Sequence, residues 1–330
     1  MSSRTLNAAA PAIIARPREE LKQIARDTLA AVKRGSYTVG FGSSSVGETH
    51  IFQDLATVSD STTYFGADAL EDWKNPPLPK FSGDASTDFV LYQATTLEGI
   101  RFCLADATAG TQPPRLAILN FASATSPGGG FLGGARAQEE TLARSSNLYS
   151  SLSSAAAQPF YTAHNTRADP RFSHAMLLTR NVRFVRDDLG VWVPPADVDV
   201  LTSAAVNVNA LRQSLHLRGG KEAQLPADLA AEVAAIMRER MSRILCAMAR
   251  AGAKDIVLGS FGTGAFRNKV EFVATTWAEL LCGVQAPFRD VFRRVVFAIV
   301  DQGTWALFCD VFRRAGASFW EVVKEREEEC

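Results

Sequence analysis

Short apolar runs alternate with helical patterns along most of the chain, and this alternation limits the possible folds more than any other feature. The apolar runs cover residues 89–92, 116–121, 198–201, 256–258 and 295–300, and the helical patterns lie near 97–105, 138–154, 227–251 and 269–284. Strands that alternate with helices usually form one largely parallel sheet with helices on both faces. The sequence therefore predicts an α/β fold with a single central sheet.

The residues outside this pattern are harder to assign. Apolar residues at helical spacing from Leu21 to Val32 predict an amphipathic helix that Gly35 ends. Residues 1–17 resemble a loose arm, and the polar stretch 158–195 predicts an irregular insertion or a hairpin over the ligand side. We therefore expect residues 1–90 to form an N-terminal arm and helical elaboration packed on the core, and residues 91–330 to form the core.

Charge and cysteine content exclude several classes of protein. The 35 basic residues balance 35 acidic ones, so no global charge attracts nucleic acid or a membrane, and an anionic ligand must be held by local groups. No apolar run approaches the ~18 residues of a membrane-spanning helix. The five cysteines are scattered without metal-ligand spacing, which predicts free thiols, no metal site and an intracellular location, cytoplasmic or nuclear.

A glycine-rich loop separates the apolar run that ends near Asn120 from a helix that opens near Gln138. It contains Gly128, Gly129 and Gly130 in succession. Consecutive glycines let backbone N–H groups converge on a ligand, and the start of a helix adds partial positive charge. This combination favours a phosphate or diphosphate, although a flexible connection without a ligand remains the alternative.

A second turn of the same kind favours the ligand-binding interpretation. Gly262, Thr263 and Gly264 follow the apolar run 256–258, and ligands of open α/β sheets bind at the carboxyl edge of the strands. The sequence does not fit a dinucleotide fold, because residues 148–160 contain no acid to bind a ribose. Neither turn has the lysine of a nucleotide triphosphatase. Two facing turns could hold one diphosphate between them.

Two adjacent acids, Glu139 and Glu140, open the helix that follows the first loop. Acids in a first helical turn often do no more than complement the helix dipole. Beside a bound diphosphate, however, like charges favour the protonated form of one of them, whereas the helix N-terminus opposes this. A protonated carboxyl group can donate its proton to the leaving oxygen of a glycosidic bond. The residues therefore suggest glycoside hydrolysis on a ribose that carries a diphosphate.

The segments Pro127-Gly-Gly-Gly-Phe-Leu-Gly-Gly-Ala and Gln138-Glu-Glu-Thr-Leu-Ala-Arg-Ser-Ser-Asn-Leu-Tyr resemble the microbial-type poly(ADP-ribose) glycohydrolases. The resemblance implies a three-layer αβα macrodomain with a mixed central sheet and an N-terminal helical extension. It also implies exo-type hydrolysis of the ribose–ribose O-glycosidic bond. The substrate would be poly(ADP-ribose) or an ADP-ribosylated protein, and the product would be ADP-ribose. The resemblance implies no cofactor and no metal. A role in ADP-ribosylation and the DNA damage response would follow.

By the same resemblance, Glu140 is the catalytic acid and Glu139 holds the hydroxyls of the terminal ribose. Phe131 either covers the site or is a core aromatic. Ser123 and Ser126 replace asparagines of many relatives, which leaves the fine contacts to the substrate open. The substrate-binding residues that the resemblance implies are Asn120, Gly128, Gly129, Gly130, Phe131, Gln138, Asn207, Gly262, Thr263, Gly264 and Phe266.

Two other functions remain open from the sequence alone. A hydrolase that removes a single ADP-ribose unit from protein or nucleic acid could use the same acid. A module that binds ADP-ribose without chemistry would need the two glycine turns but not Glu140. The presence of the acid favours catalysis over binding alone.

Overall fold

The structure is a computed structural model. It describes residues 5–9, 16–40, 47–52, 61–75, 78–81, 86–105, 114–166, 169–215 and 224–325. The strands are β1 (Thr5–Ala9), β2 (Ser36–Gly40), β3 (Gly47–Ile51), β4 (Thr62–Phe65), β5 (Asp88–Tyr92), β6 (Leu116–Phe121), β7 (Met176–Arg186), β8 (Trp192–Ser203), β9 (Asp255–Leu258), β10 (Arg294–Ala298) and β11 (Phe319–Glu325). The α-helices are α1 (Arg18–Arg34), α2 (Thr96–Ala105), α3 (Gln138–Ser145), α4 (Leu148–Leu152), α5 (Gln158–Thr166), α6 (Val208–Ser214), α7 (Ala227–Arg250), α8 (Val270–Leu281) and α9 (Gln302–Arg314).

Nine strands form the main sheet in the order β1-β11-β5-β10-β9-β6-β8-β7-β4. The neighbours from β1 to β8 are parallel, and β7 and β4 add two antiparallel pairings at one end. The predicted mixed central sheet is therefore confirmed. Because β6 and β9 are parallel neighbours, the turns that follow them emerge at the same edge of the sheet.

Helices cover both faces of this sheet, which confirms the predicted three-layer αβα arrangement. Side chains alternate along β5, so that Phe89 and Leu91 face one apolar cluster and Val90 and Tyr92 face another. Helices α6, α7, α8 and α9 contribute to the first cluster. Helices α2, α3, α4 and α5 contribute to the second.

The N-terminal region supplies edge strands as well as a helix. The predicted helix is confirmed as α1, which ends at Gly35 in a left-handed conformation with φ of 83°. The prediction of a loose arm is wrong for residues 5–9, because these residues form β1, whose backbone pairs in parallel with β11. Residues 1–4 and 10–15 lie outside the described residues. Strand β4 pairs with β7 at the other edge. The domain division at residue 90 stays a prediction.

Two other expectations need correction. The helical pattern 138–154 is interrupted at Ser146, whose extended backbone pairs with Phe184, so it forms α3 and α4. The stretch 158–195 is not irregular: it contains α5 and the β7–β8 hairpin. Polar residues such as Arg180 and Asn181, together with two irregularities in register, hide the strand pattern of β7. The hairpin itself was one of the two predicted alternatives.

The structure also provides information on the cysteines and on helices that could span a membrane. Cys103, Cys246, Cys282 and Cys309 are buried free thiols, as predicted, and Cys330 lies outside the described residues. Within the described part of the chain, no helix combines the length and the apolar character that a bilayer crossing needs.

Candidate active site

The first glycine loop connects β6 to α3 and brings its backbone against both acids. Gly128 and Gly129 have φ values of 66° and 57°, in the left-handed region that glycine adopts without strain. A Cβ atom at Gly129 would lie 2.4 Å from Glu140 Oε1 and 3.0 Å from Glu139 Oε2. The contact between the acids and the loop therefore requires glycine at this position.

Glu140 is only partly buried, and one of its oxygens is fixed. Its Oε1 accepts a hydrogen bond of 2.9 Å from the backbone N–H of Gly130. Its Oε2 has no hydrogen-bond partner among the residues that the structure describes. The carboxyl group is thus held in one orientation, with a second oxygen that is buried and whose hydrogen-bonding capacity is unused.

Glu139 is 2% exposed and bonded to protein through both oxygens. Its Oε2 accepts from Ser123 N at 2.7 Å, and its Oε1 accepts from Asn120 Nδ2 at 3.3 Å. Burial raises the pKa of Glu139 to about 8, whereas the Ser123 and Asn120 donors act against this and the neighbouring Glu140 charge adds to it. The structure thus places the raised pKa on the first acid of the pair.

Asn120 and Gln138 hold this arrangement to the sheet. The amide of the fully buried Asn120 also donates to Thr202 Oγ1 on β8, at 3.3 Å. The Gln138 amide accepts from Phe121 N at 2.9 Å and donates to the carbonyl of Leu119 at 2.8 Å. The Gln138 side chain therefore ties the start of α3 to the end of β6, and its predicted substrate contact stays a prediction.

The second glycine turn follows β9 and is built around a buried amide. Gly262 has a φ of 74°, and a Cβ atom there would lie 2.4 Å from the Cβ of Ala205. Asn268, 6% exposed, donates from Nδ2 to Val206 O at 2.9 Å and to Gly262 O at 3.0 Å. The Thr263 hydroxyl donates within the turn, to Ser260 O at 2.9 Å. Asn268 thereby joins this turn to the loop after β8.

The structure brings the two turns together at one edge of the sheet. The rings of Phe121, at the end of β6, and Phe261, in the second turn, pack edge to face with centroids 5.8 Å apart. A Cβ atom at Gly259 would lie 3.1 Å from the Phe121 ring. No Cβ contact would arise within 4 Å at Gly264, so the α-carbon of that glycine faces open space.

Three further residues that were predicted to bind substrate, two phenylalanines and one asparagine, have different environments. Phe131 is 1% exposed, and its ring lies 4.8 Å from that of Tyr149. Phe131 therefore packs as a core aromatic with Ala25 and Ala143, and its predicted contact with substrate stays a prediction. Phe266 is partly buried, with its ring 6.0 Å from that of Phe172. Asn207 caps α6 by accepting from Ala210 N at 2.9 Å.

Several residues that shape the site were not assigned from the sequence. These include Ser123 and Thr202, which bond Glu139 and Asn120, and Asn268 in the second turn. Arg240 on α7 is 0% exposed and donates to the carbonyls of Ala204 at 2.7 Å and of Phe172 at 3.1 Å. No local pattern marks these residues, because each bonds an element distant in sequence. In the described ranges, no three His, Cys, Asp or Glu side chains cluster as metal ligands would.

Comparisons with known proteins identify the family of this chain. A family model described as microbial-type PARG, catalytic domain, matches residues 25–187. The poly(ADP-ribose) glycohydrolase (PARG) of Thermomonospora curvata is 34% identical, with a TM-score of 0.74, over 90% of this chain and 99% of that chain. Its complex with the inhibitor ADP-HPD is 33% identical, with a TM-score of 0.73, over the same shares.

A second bacterial enzyme gives the same result. The PARG of Deinococcus radiodurans in complex with ADP-ribose is 30% identical, with a TM-score of 0.68, over 80% of this chain and 99% of that chain. No curated protein compared with this chain matches it. The family model and the identity across nearly the full length of both enzymes show that the chain belongs to the microbial-type poly(ADP-ribose) glycohydrolases and is a glycosidase.

Proposed function

We propose that this glycohydrolase cleaves the ribose–ribose bond of poly(ADP-ribose) from the chain end, with Glu140 as the proton donor. The observation that carries the proposal is the state of the Glu140 carboxyl group. Its Oε1 is fixed by Gly130 N, and its Oε2 has no partner in the described part of the protein. A proton donor needs a fixed orientation and an oxygen that no protein group already occupies, and the buried, unpartnered Oε2 supplies the second requirement once substrate contacts it.

The reaction then follows from ordinary glycoside chemistry. The Glu140 proton moves to the leaving ribose oxygen as the bond to the anomeric carbon breaks. Water adds to that carbon, and its proton returns to the Glu140 carboxylate. The products are ADP-ribose and a polymer shortened by one unit. ADP-ribose in the D. radiodurans structure and ADP-HPD in the T. curvata structure support this substrate class.

Glu139 has a different role in this proposal. Both of its oxygens already accept hydrogen bonds from Ser123 and Asn120, so only remaining lone pairs can receive a ribose hydroxyl. The side chain therefore fixes the sugar from a buried position. Asn120 and the residues Gly128, Gly129 and Gly130 would complete the sugar side.

The second turn holds the diphosphate in this arrangement. Gly262, Thr263 and Gly264 follow β9, the parallel neighbour of β6, and the open α-carbon of Gly264 lets an anion approach the backbone. Phe266 would pack on the distal ribose, supported from behind by Phe172. We infer an intracellular substrate, since the four described thiols are free.

The test compares wild-type protein with Glu140→Gln, which keeps the size of the side chain and removes the acid. We expect turnover of poly(ADP-ribose) to fall by about 10³-fold, in the range expected for general acid catalysis. Binding of ADP-ribose, measured by calorimetry, should change by less than about threefold. Near-normal turnover of the variant would contradict the assignment.

The products of the wild-type reaction distinguish the remaining functions. Free ADP-ribose as the first product supports cleavage from the chain end. Early release of short oligomers would contradict the exo-type cleavage, and loss of only the protein-linked unit would indicate a mono-ADP-ribosyl hydrolase. Binding of ADP-ribose without any turnover would indicate a recognition module.

A further inference from the structure

A single buried hydroxyl on α1 connects the helix of the two acids to the β7–β8 hairpin. Thr28 is 0% exposed, and its Oγ1 donates to the carbonyl of Arg144, near the end of α3, at 2.8 Å. The same oxygen accepts from Arg186 Nε, at the end of β7, at 2.7 Å. Arg186 is 4% exposed, so this junction of three elements is shielded from water. Solvent cannot replace either hydrogen bond.

The Arg144 carbonyl is a significant point of attachment for α3. The last four carbonyl groups of a helix have no donor within the helix, and α3 is only eight residues long. Thr28 supplies one of the missing donors. The Arg144 side chain in turn donates to the carbonyl of Ala135 and, at 3.2 Å, to Thr141 Oγ1. The end of α3 is therefore linked both to α1 and to the end of the first glycine loop.

Other contacts of α1 reach the same loop. Ala25 packs in a small apolar cluster with Phe131 and Ala143. A Cβ atom at Gly134, where φ is 75°, would lie 2.5 Å from the carbonyl oxygen of Arg18. Helix α1 is thus the rear support of the loop and of α3.

We propose that Thr28 is a positioning residue for the hydrolysis: it fixes α3 along its axis and thereby the distance from the Glu140 carboxyl group to the sugar oxygen. The inference rests on the proposed role of Glu140 as proton donor. Proton transfer requires a separation of about 2.6–3.2 Å, and a displacement of about 1 Å at a reacting group can lower the rate by about 100-fold. A helix with only two turns and a loosened end can shift by this amount.

Two pairs of side chains at position 28, threonine with valine and serine with alanine, isolate the effect of the hydroxyl group. Thr28→Val keeps the shape and removes the hydroxyl, and Thr28→Ser keeps the hydroxyl but removes a methyl group. Thr28→Ala differs from Thr28→Ser only by the oxygen atom. We expect kcat on poly(ADP-ribose) to fall by about 10- to 100-fold in Thr28→Val and Thr28→Ala, with KM within about threefold of wild type. Thr28→Ser should stay within about threefold of wild type in kcat.

A purely structural role predicts another result, and Val32→Ala on the same helix provides the control. Val32 is 5% exposed and packs with Tyr37 and Val39, away from α3. All variants are assayed at a temperature where circular dichroism shows each to be fully folded. We expect Val32→Ala to lower the melting temperature without changing kcat. Amide hydrogen exchange across residues 138–146 should accelerate in Thr28→Ala relative to Thr28→Ser.

The outcomes separate this inference from the proposed function. If folded Thr28→Ala and Thr28→Ser have the same kcat, Thr28 does not position the acid, even when Glu140→Gln is inactive. If Glu140→Gln remains active, the proposed function fails independently of the Thr28 result. Should Thr28→Val not fold, the Ala–Ser pair still decides the question.

Discussion

The two glycine turns follow neighbouring parallel strands, yet they place different chemistry at the same sheet edge. The first loop lies against two carboxyl groups, and Gly129 and Gly130 contact Glu140 directly. The second turn is held by the Asn268 amide and the Thr263 hydroxyl, which do not ionise near neutral pH. Under the proposed function, this difference corresponds to a division of labour in which the first loop handles the proton and the second holds the ligand.

Substitution of Gly129 should have the largest effect on kcat, because it displaces the carboxyl group that is proposed to donate the proton. In Gly129→Ala, the new Cβ would lie 2.4 Å from Glu140 Oε1, and alanine must adopt a φ of 57°. The carboxyl group has to move, so we expect kcat to fall by about 10³-fold, with a smaller change in the affinity for ADP-ribose. Steady-state kinetics and calorimetry give the two values.

The control for backbone strain is Gly252→Ala. Gly252 follows α7 with a φ of 85°, and a Cβ atom there would meet nothing within 4 Å. This variant should lose about 1 kcal/mol of stability and keep the wild-type kcat. If Gly129→Ala retained wild-type kcat while Gly252→Ala showed the expected loss of stability, the first loop would not orient the acid.

Stability should also depend on pH on the side of the first loop, because the buried Glu139 lies against that loop. Burial raises the pKa of Glu139 to about 8 from 4.5, so the folded state favours the protonated acid. Its contribution to stability is present below about pH 4.5 and is lost as the pH rises towards 8. Relative to Glu139→Gln, the free energy of unfolding of the wild type should fall by up to about 4 kcal/mol over this range. Urea unfolding at four pH values tests this, and parallel curves would contradict the raised pKa.

The first loop was also the part that the sequence predicted best, for a physical reason. Its glycines and acids lie within thirteen residues, from Gly128 to Glu140, and a local pattern contains the whole contact. The central strands and the longer helices were predicted for the same reason, since burial repeats at short spacing. The bounds of strand β7 were not assigned, although a hairpin was one of the alternatives, because Arg180 and Asn181 interrupt its apolar pattern.

The supports of both turns could not be predicted, since each joins distant segments. The bonds from Asn120 to Thr202, from Asn268 to Val206 and from Thr28 to Arg144 span 82, 62 and 116 residues. No spacing rule connects such positions. The resemblance to a family assigned Glu140 as the reacting acid, which stays a prediction, and it did not indicate that Glu139 is the more deeply buried carboxyl group of the pair.

Substitution of Gly262 tests the second turn, and we expect a smaller effect on catalysis than substitution of Gly129 has. A Cβ atom there would lie 2.4 Å from Ala205 and 2.8 Å from Asn268 Nδ2, and φ is 74°. Gly262→Ala should displace the turn from the ligand and raise KM about tenfold, with kcat within about threefold, because no proton is handled there. Gly283→Ala, with a φ of 80° and no neighbour within 4 Å, controls for strain. A fall in kcat at constant KM would show that the second turn also orients the reacting groups, and the division of labour would be wrong.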